Sequence, residues 1–198
     1  MKTEHVLINP LWMRLTHWVN AVAVIIMILS GWRIYNASPI FGFKIPAQLT
    51  MGDWLGGALQ WHFAAMWLLV LNGLAYLVIN VASGRFRRKL LPISISGFIA
   101  DAKSALTGHL THEDATKYNT VQKVAYLAII LDLVLLVLSG LPIWKSVQFP
   151  LLRDLMGGYD NARIVHFLAM AFAVAFVVVH LVMVALVPRT LVGMIRGR

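Results

Sequence analysis

The stretch RIVHFLAMAFAVAFVVVHLVMVALVP, residues 163–188, decides the fold of this chain. It is an apolar run long enough to cross a bilayer, for which about 20 residues are needed. Two histidines, His166 and His180, lie inside it, 14 residues apart. Such a step rises about 21 Å along an α-helix and returns to within about 40° of the same face. The spacing therefore predicts two imidazoles that point the same way at two depths of one membrane helix.

The composition is that of a membrane protein. Of 198 residues, 60% are hydrophobic and 13% are charged, against about 25% charged in soluble domains. Cysteine is absent, which excludes disulfides, thiolate zinc sites, cysteine-ligated iron–sulfur clusters and covalently attached c-type heme. The formal net charge of +9 is expected to set membrane orientation. We therefore expect membrane lipid, and no nucleic acid, as a partner.

Long apolar segments predict four transmembrane helices, at about residues 11–34, 59–81, 121–143 and 163–187. The expected fold is an all-α four-transmembrane-helix bundle that forms a single domain over residues 1–198. Between the second and third spans, a polar segment contains a predicted amphipathic helix at about Ile95 to Leu106, which would lie at the membrane surface. No internal repeat is evident along the chain.

The basic residues predict the orientation. Four spans place both termini on one side, and 12 of the 17 Lys and Arg residues then fall on that side. Because Lys and Arg are retained in the cytoplasm, both termini and the polar middle segment are expected to be cytoplasmic. The predicted location is the bacterial inner membrane, with the two shorter loops on the exoplasmic side.

With this orientation, the four histidines inside the spans fall at two depths. His17 and His180 lie about 8 to 10 Å below the cytoplasmic surface, while His62 and His166 lie about 5 Å below the exoplasmic surface. Heme iron accepts axial imidazole, and two axial ligands favour electron transfer because no coordination site stays open. We therefore predict two b-type hemes, one held by His17 and His180 and the other by His62 and His166.

Two glycines and two arginines are predicted to contact these hemes. A porphyrin needs a helix face without side chains, and Gly31 lies 14 residues after His17 while Gly73 lies 11 residues after His62. Each is close to the face of its helix that carries the ligand, at the level of the other heme. Arg14 and Arg163 are candidates to pair with heme propionates, although each is equally well placed simply to mark a helix end.

The other ionisable residues have simpler alternatives. A single histidine in a span often only bonds a neighbouring helix, but four at matched depths favour a functional role. His5, His109 and His112 fall outside the spans; the last two are spaced to share a metal, but a solvated loop is the favoured interpretation. Asp132, the one acid within a span, is either a hydrogen-bonding residue, which we favour, or part of a proton relay.

The motifs RLTHW, WHF, KYNTVQK, RIVHF and VVVHLVMVALV, followed by LVGMIRG, resemble the cytochrome b (gamma) subunit of respiratory formate dehydrogenase. They are also similar to the b-type cytochromes of nickel–iron hydrogenases and to bacterial diheme cytochromes b such as superoxide oxidase. The resemblance implies a quinone, ubiquinone or menaquinone, beside the cytoplasmic heme. It places Asn119 and Gln122 of KYNTVQK at that quinone pocket, next to His180. Helix capping is the alternative role for both amides.

Three functions remain open from the sequence. The favoured one is electron transfer between the quinone pool and an exoplasmic partner: a molybdenum enzyme, a hydrogenase or a c-type cytochrome. The second is a stand-alone superoxide:quinone oxidoreductase, which a basic exoplasmic surface would favour. The third, less favoured, is a heme-free metal transporter or assembly factor.

Overall fold

The computed structural model describes residues 9–106 and 118–197, so His5, His109 and His112 lie outside the described residues. The helices are α1 (Leu11–Ala37), α2 (Leu55–Ala82), α3 (Arg85–Leu90), α4 (Ile95–Leu106), α5 (Thr120–Trp144), α6 (Pro150–Leu155), α7 (Tyr159–Leu186) and α8 (Arg189–Arg196). A short 3-10 turn, Ala47–Leu49, lies in the first loop. The described part of the chain is therefore helical, as predicted.

Among the described residues, four helices, α1, α2, α5 and α7, are long and apolar enough to cross a membrane, in agreement with the prediction of four candidate spans. Each is longer than predicted by up to about one turn at an end, because the helices continue past the last strongly apolar residue. Pro10 precedes α1 and Pro188 follows α7, and proline commonly limits a helix in this way. We call the end of the bundle where α1 begins and α7 ends the terminal end, and the opposite end the loop end.

The spans form two hairpins. Helix α1 packs along α2, and α5 packs along α7. Small side chains are buried where the helices of a hairpin meet, which lets the backbones approach closely. The buried alanines are Ala23, Ala58, Ala65, Ala162, Ala169 and Ala173.

Close backbone approaches between the two hairpins are few among the described residues. Side chains bridge the gap instead. The Trp32 indole N–H donates to Met170 Sδ at 3.3 Å, and the rings of Tyr35 and Phe167 lie 4.8 Å apart. The two hairpins are thus separated along the centre of the bundle. Such a separation is needed where a bundle encloses a flat cofactor.

Shorter helices cover the terminal end. Helix α4 has the predicted bounds, and its Asp101 carboxylate accepts a hydrogen bond from the Thr120 backbone N–H at 2.6 Å, at the start of α5. Helix α8 was not predicted. It packs beneath α1, where Arg14 donates to the Ile195 carbonyl at 2.7 Å and Trp18 donates to the Met194 carbonyl at 3.2 Å.

Candidate cofactor site between the hairpins

The structure brings together the four histidines of the spans as two pairs. The ring centroids of His17 and His180 are 6.1 Å apart at the terminal end. Those of His62 and His166 are 6.5 Å apart toward the loop end. These are the pairs that helix depth predicts, and we call them the terminal-end pair and the loop-end pair.

Both separations fit an axial pair on one metal ion. Metal–imidazole bonds of about 2 Å place the two ligating nitrogens about 4 Å apart, and each ring centroid lies slightly more than 1 Å behind its nitrogen. The resulting centroid separation of about 6 Å is close to both observed values. The residues present therefore fit a bis-imidazole iron at each level.

A serine from the opposite helix of the same hairpin orients each histidine of the loop-end pair. Ser30 Oγ lies 2.6 Å from the Ile26 carbonyl and 3.0 Å from His62 Nδ1. Because a hydroxyl has one proton and that proton goes to the carbonyl, the oxygen accepts from Nδ1–H. The lone pair of His62 is then on Nε2, the nitrogen free to bind a metal.

Ser139 does the same for His166. Its hydroxyl donates to the Leu135 carbonyl at 2.7 Å and lies 3.0 Å from His166 Nδ1. A glycine follows each serine and keeps space for the ring. A Cβ at Gly31 would lie 3.4 Å from His62 Cε1, and one at Gly140 would lie 3.3 Å from His166 Cε1.

This arrangement comes from an internal repeat that the sequence analysis missed. LSGWRIY at 29–35 matches LSGLPIW at 138–144, and ALQWHFAAM at 58–66 matches ARIVHFLAM at 162–170. Matching rings also pair across the hairpins: Tyr35 with Phe167 at 4.8 Å, and Trp144 with Phe63 at 5.1 Å. The loop-end level therefore has an approximate two-fold arrangement around the histidine pair.

The terminal-end pair is not symmetric in this way. The residues that match His17 and His180 in the repeat are Tyr126 and Tyr76. Among the described residues, no side chain is hydrogen bonded to either histidine of this pair. The His17 ring lies 5.4 Å from that of Trp18, and the His180 ring stacks on Phe176 at 6.1 Å.

The two glycines and two arginines predicted to contact heme have contacts that do not by themselves indicate a heme. Gly31 lies against the His62 ring, whereas nothing lies within 4 Å of a Cβ built at Gly73. Arg163 donates to the backbone carbonyl and the hydroxyl of Ser38. Arg14 bonds the Ile195 carbonyl, while its Nε is shielded and has no partner among the described residues. Heme contact by these four residues stays a prediction.

Asn119 and Gln122 form a capping box at the start of α5. Asn119 Oδ1 accepts from the Gln122 backbone N–H at 2.8 Å, and Gln122 Oε1 accepts from the Asn119 backbone N–H at 3.2 Å. Helix capping, the alternative role, is thus what the structure shows. Because only the oxygens are used, both amide NH₂ groups remain without partners in the described part of the chain, and their role in quinone binding stays a prediction.

Comparisons with known proteins agree with a heme site. The family model of the prokaryotic cytochrome b561 matches residues 9–197. A protein of Azospira oryzae is 58% identical over 197 residues, covering 100% of both chains, and carries the provisional name protein-methionine-sulfoxide reductase subunit YedZ1. These matches confirm a membrane b-type cytochrome with a role in electron transfer. They do not single out the formate dehydrogenase gamma subunit.

Proposed function

Because the chain belongs to the prokaryotic cytochrome b561 family, we propose that it carries electrons between membrane quinol and a redox subunit on the exoplasmic side. Two b-type hemes, each held by one histidine pair, would be the carriers. The observation that supports this most is the presence of two histidine pairs, with ring separations of 6.1 and 6.5 Å, at two levels of one bundle.

The chain's own residues account for the properties of such carriers. Bound heme supplies one-electron chemistry, and two imidazole ligands leave the iron without an open position. Ser30 and Ser139 hold the loop-end histidines in the tautomer that ligates through Nε2. The apolar side chains of the spans would keep water from a heme held between the hairpins, which would protect a reduced carrier from side reactions.

We propose that the partner reduces methionine sulfoxide, because the Azospira oryzae relative bears the name of a subunit of such a reductase. Reduction of a sulfoxide to a thioether and water consumes two electrons and two protons. Quinol oxidation to quinone releases two of each. Electrons would then enter at the terminal end and leave at the loop end, with the termini in the cytoplasm of a bacterial inner membrane.

The quinol site is proposed at the start of α5, where the amide NH₂ groups of Asn119 and Gln122, which have no hydrogen-bond partner in the described part of the chain, can donate to a quinone carbonyl. The side chains of both residues are partly buried. Asp101 and Gly97 of α4 lie against Thr120 of the same turn. Helix α4 therefore forms part of the surroundings of this site.

A second candidate function is superoxide:quinone oxidoreduction. A pocket of about 210 Å³ at the loop end is lined by Arg33, Asn36, Ala37, Trp54 and Leu55. The Arg33 guanidinium has no hydrogen-bond partner among the described residues. It would attract a small anion such as superoxide.

The test is an optical experiment on the purified, heme-loaded protein. A quinol analogue is expected to reduce the b-type bands, and they should reoxidise only when methionine sulfoxide and a catalytic subunit that reduces it are both present. Rapid reduction by a superoxide source without any partner would favour the second function. Absence of b-type bands, or no response to quinol, would overturn the proposal.

A further inference from the structure

Asp132 is a buried acid that the electron-transfer role does not use. It is the one acid in α1, α2, α5 and α7 apart from Asp160 in the first turn of α7, and it is 8% exposed. Its Oδ2 is shielded from solvent and has no hydrogen-bond partner among the described residues. An isolated carboxylate is very costly to bury, so such a group favours the neutral acid unless a positive charge lies nearby.

Its position is midway between the two histidine levels. Asp132 precedes Ser139 by seven residues, a rise of about 10 Å that returns to within about 20° of the same face of α5. Ser139 bonds His166, and the 14 residues from His166 to His180 span about 21 Å. Ala173, halfway between those histidines on α7, is buried at 2% exposure.

Packing does not require an acid at this place. The residue that matches Asp132 in the internal repeat is Ala23, seven residues before Ser30, and it is completely buried. The same position in an otherwise similar hairpin is thus filled by a methyl group. The acid is therefore a difference between the hairpins, located on the face of α5 that carries Ser139.

The ionisable neighbours of this position are few. On α5 itself, Tyr126 lies about two turns toward the terminal end. The ionisable residues of the other three spanning helices at these levels are His17, His62, Tyr76, His166 and His180. No Lys or Arg lies between the two histidine levels on these helices. A change in charge at either metal centre would therefore act on Asp132 without a nearby cation to offset it.

We propose that Asp132 is a redox-linked proton site between the two hemes, an inference that rests on the proposed heme pairs. When one electron reaches the hemes, one proton from the aqueous phase binds a carboxylate oxygen of Asp132. When the electron leaves, the proton leaves too. The positive charge of oxidised iron stabilises the carboxylate, and its loss on reduction favours the acid.

The test is redox potentiometry of the heme-loaded protein between about pH 5 and pH 9, the range in which such linkage is measured. In the native chain, at least one midpoint potential should fall with pH over part of this range. The slope should approach about 59 mV per pH unit, the equivalent of a tenfold change in a one-electron couple. Asp132→Asn should flatten that slope, Asp132→Glu should restore it, and Asp154→Asn, at an exposed carboxylate, should leave it unchanged.

Redox-difference infrared spectra give an independent readout on the native chain, should Asp132→Asn fail to fold. A carboxylic C=O band should gain intensity on reduction and should shift when aspartate is labelled with ¹³C. Equal slopes in the native chain and Asp132→Asn, or no labelled C=O band, would overturn the inference while leaving the proposed function intact. A protein without heme would instead refute both.

Discussion

At the scale of single residues, the two serines explain how neutral imidazoles are oriented inside an apolar bundle. Ser30 and Ser139 each use their proton on a carbonyl of their own helix, so that each can only accept from the histidine. The histidine tautomer is thereby set before any metal binds. Helix depth predicts the histidine pairs but not these serine partners, because serine in a span is common and its partner is known only once the helices are paired.

Removal of either hydroxyl should alter the loop-end heme alone. Hydrogen bonding at Nδ1 raises the basicity of the ligand, and loss of such a partner typically costs about tenfold or more in metal affinity. Ser30→Ala and Ser139→Ala are therefore expected to raise the midpoint potential of the loop-end heme, measured by potentiometric titration. Ser83→Ala is the control, because the Ser83 hydroxyl donates to the Asn80 carbonyl of its own helix end. A shift in the potential of the other heme would contradict the assignment.

At the scale of elements, apolar segments and an amphipathic pattern were enough to predict the four spans and α4. Helix α8 was not predicted, because its eight residues after Pro188 are too few to show a span-length apolar pattern. The internal repeat was missed for another reason. Its two motifs are short, and the intervening loops differ in length, so that Ser30 and His62 are 32 residues apart but Ser139 and His166 are 27.

The two roles of Asn119 at the start of α5 can be separated by substitution. Asn119→Asp keeps the oxygen that accepts from Gln122 N–H and suits the positive end of the helix, but it removes the NH₂ donor. We expect native stability and heme content with strongly reduced quinol reactivity, measured as the rate of heme reduction by quinol. Asn119→Ala should in addition lose about 1 kcal/mol of stability. Native quinol reactivity in Asn119→Asp would exclude the amide from the quinone site.

At the scale of the whole molecule, two similar hairpins enclose a gap that histidines, aromatic rings and one indole–thioether hydrogen bond span. This architecture was predictable in outline from helix depths and the four histidines. The symmetry of the loop end and the asymmetry of the terminal end were not. They depend on which faces of the helices meet, and nearly uniform apolar spans do not specify this.

Heme removal should destabilise the whole bundle, because each histidine pair proposed to bind heme joins the two hairpins. A ligand at about 1,000 times its dissociation constant stabilises the folded state by about 4 kcal/mol. Protein produced under heme depletion is therefore expected to melt at lower temperature in detergent and to be cleaved faster by protease. Added hemin should restore both properties. Equal melting of the two forms would show that the hairpins pack without the cofactor.

The orientation can be tested with reporter fusions. Of the 17 basic residues, 12 are predicted on the side of the termini, which should therefore be cytoplasmic. A reporter that works only in the cytoplasm should be active when fused after the last residue, and a reporter that works only outside the cytoplasm should be inactive there. A fusion within the loop at residues 38–54 should show the opposite result. Exoplasmic activity of the C-terminal fusion would reverse the proposed direction of electron transfer.

The central claim is that the four histidines hold two hemes in two separate pairs. Heme-to-protein ratios of the purified native chain and of single-histidine variants test it most directly. We expect two hemes in the native chain and in His109→Ala, one in His180→Ala with the loop-end heme retained, and one in His62→Ala with the terminal-end heme retained. A native ratio of one, or a single substitution that leaves both hemes bound with unchanged spectra, would contradict the account.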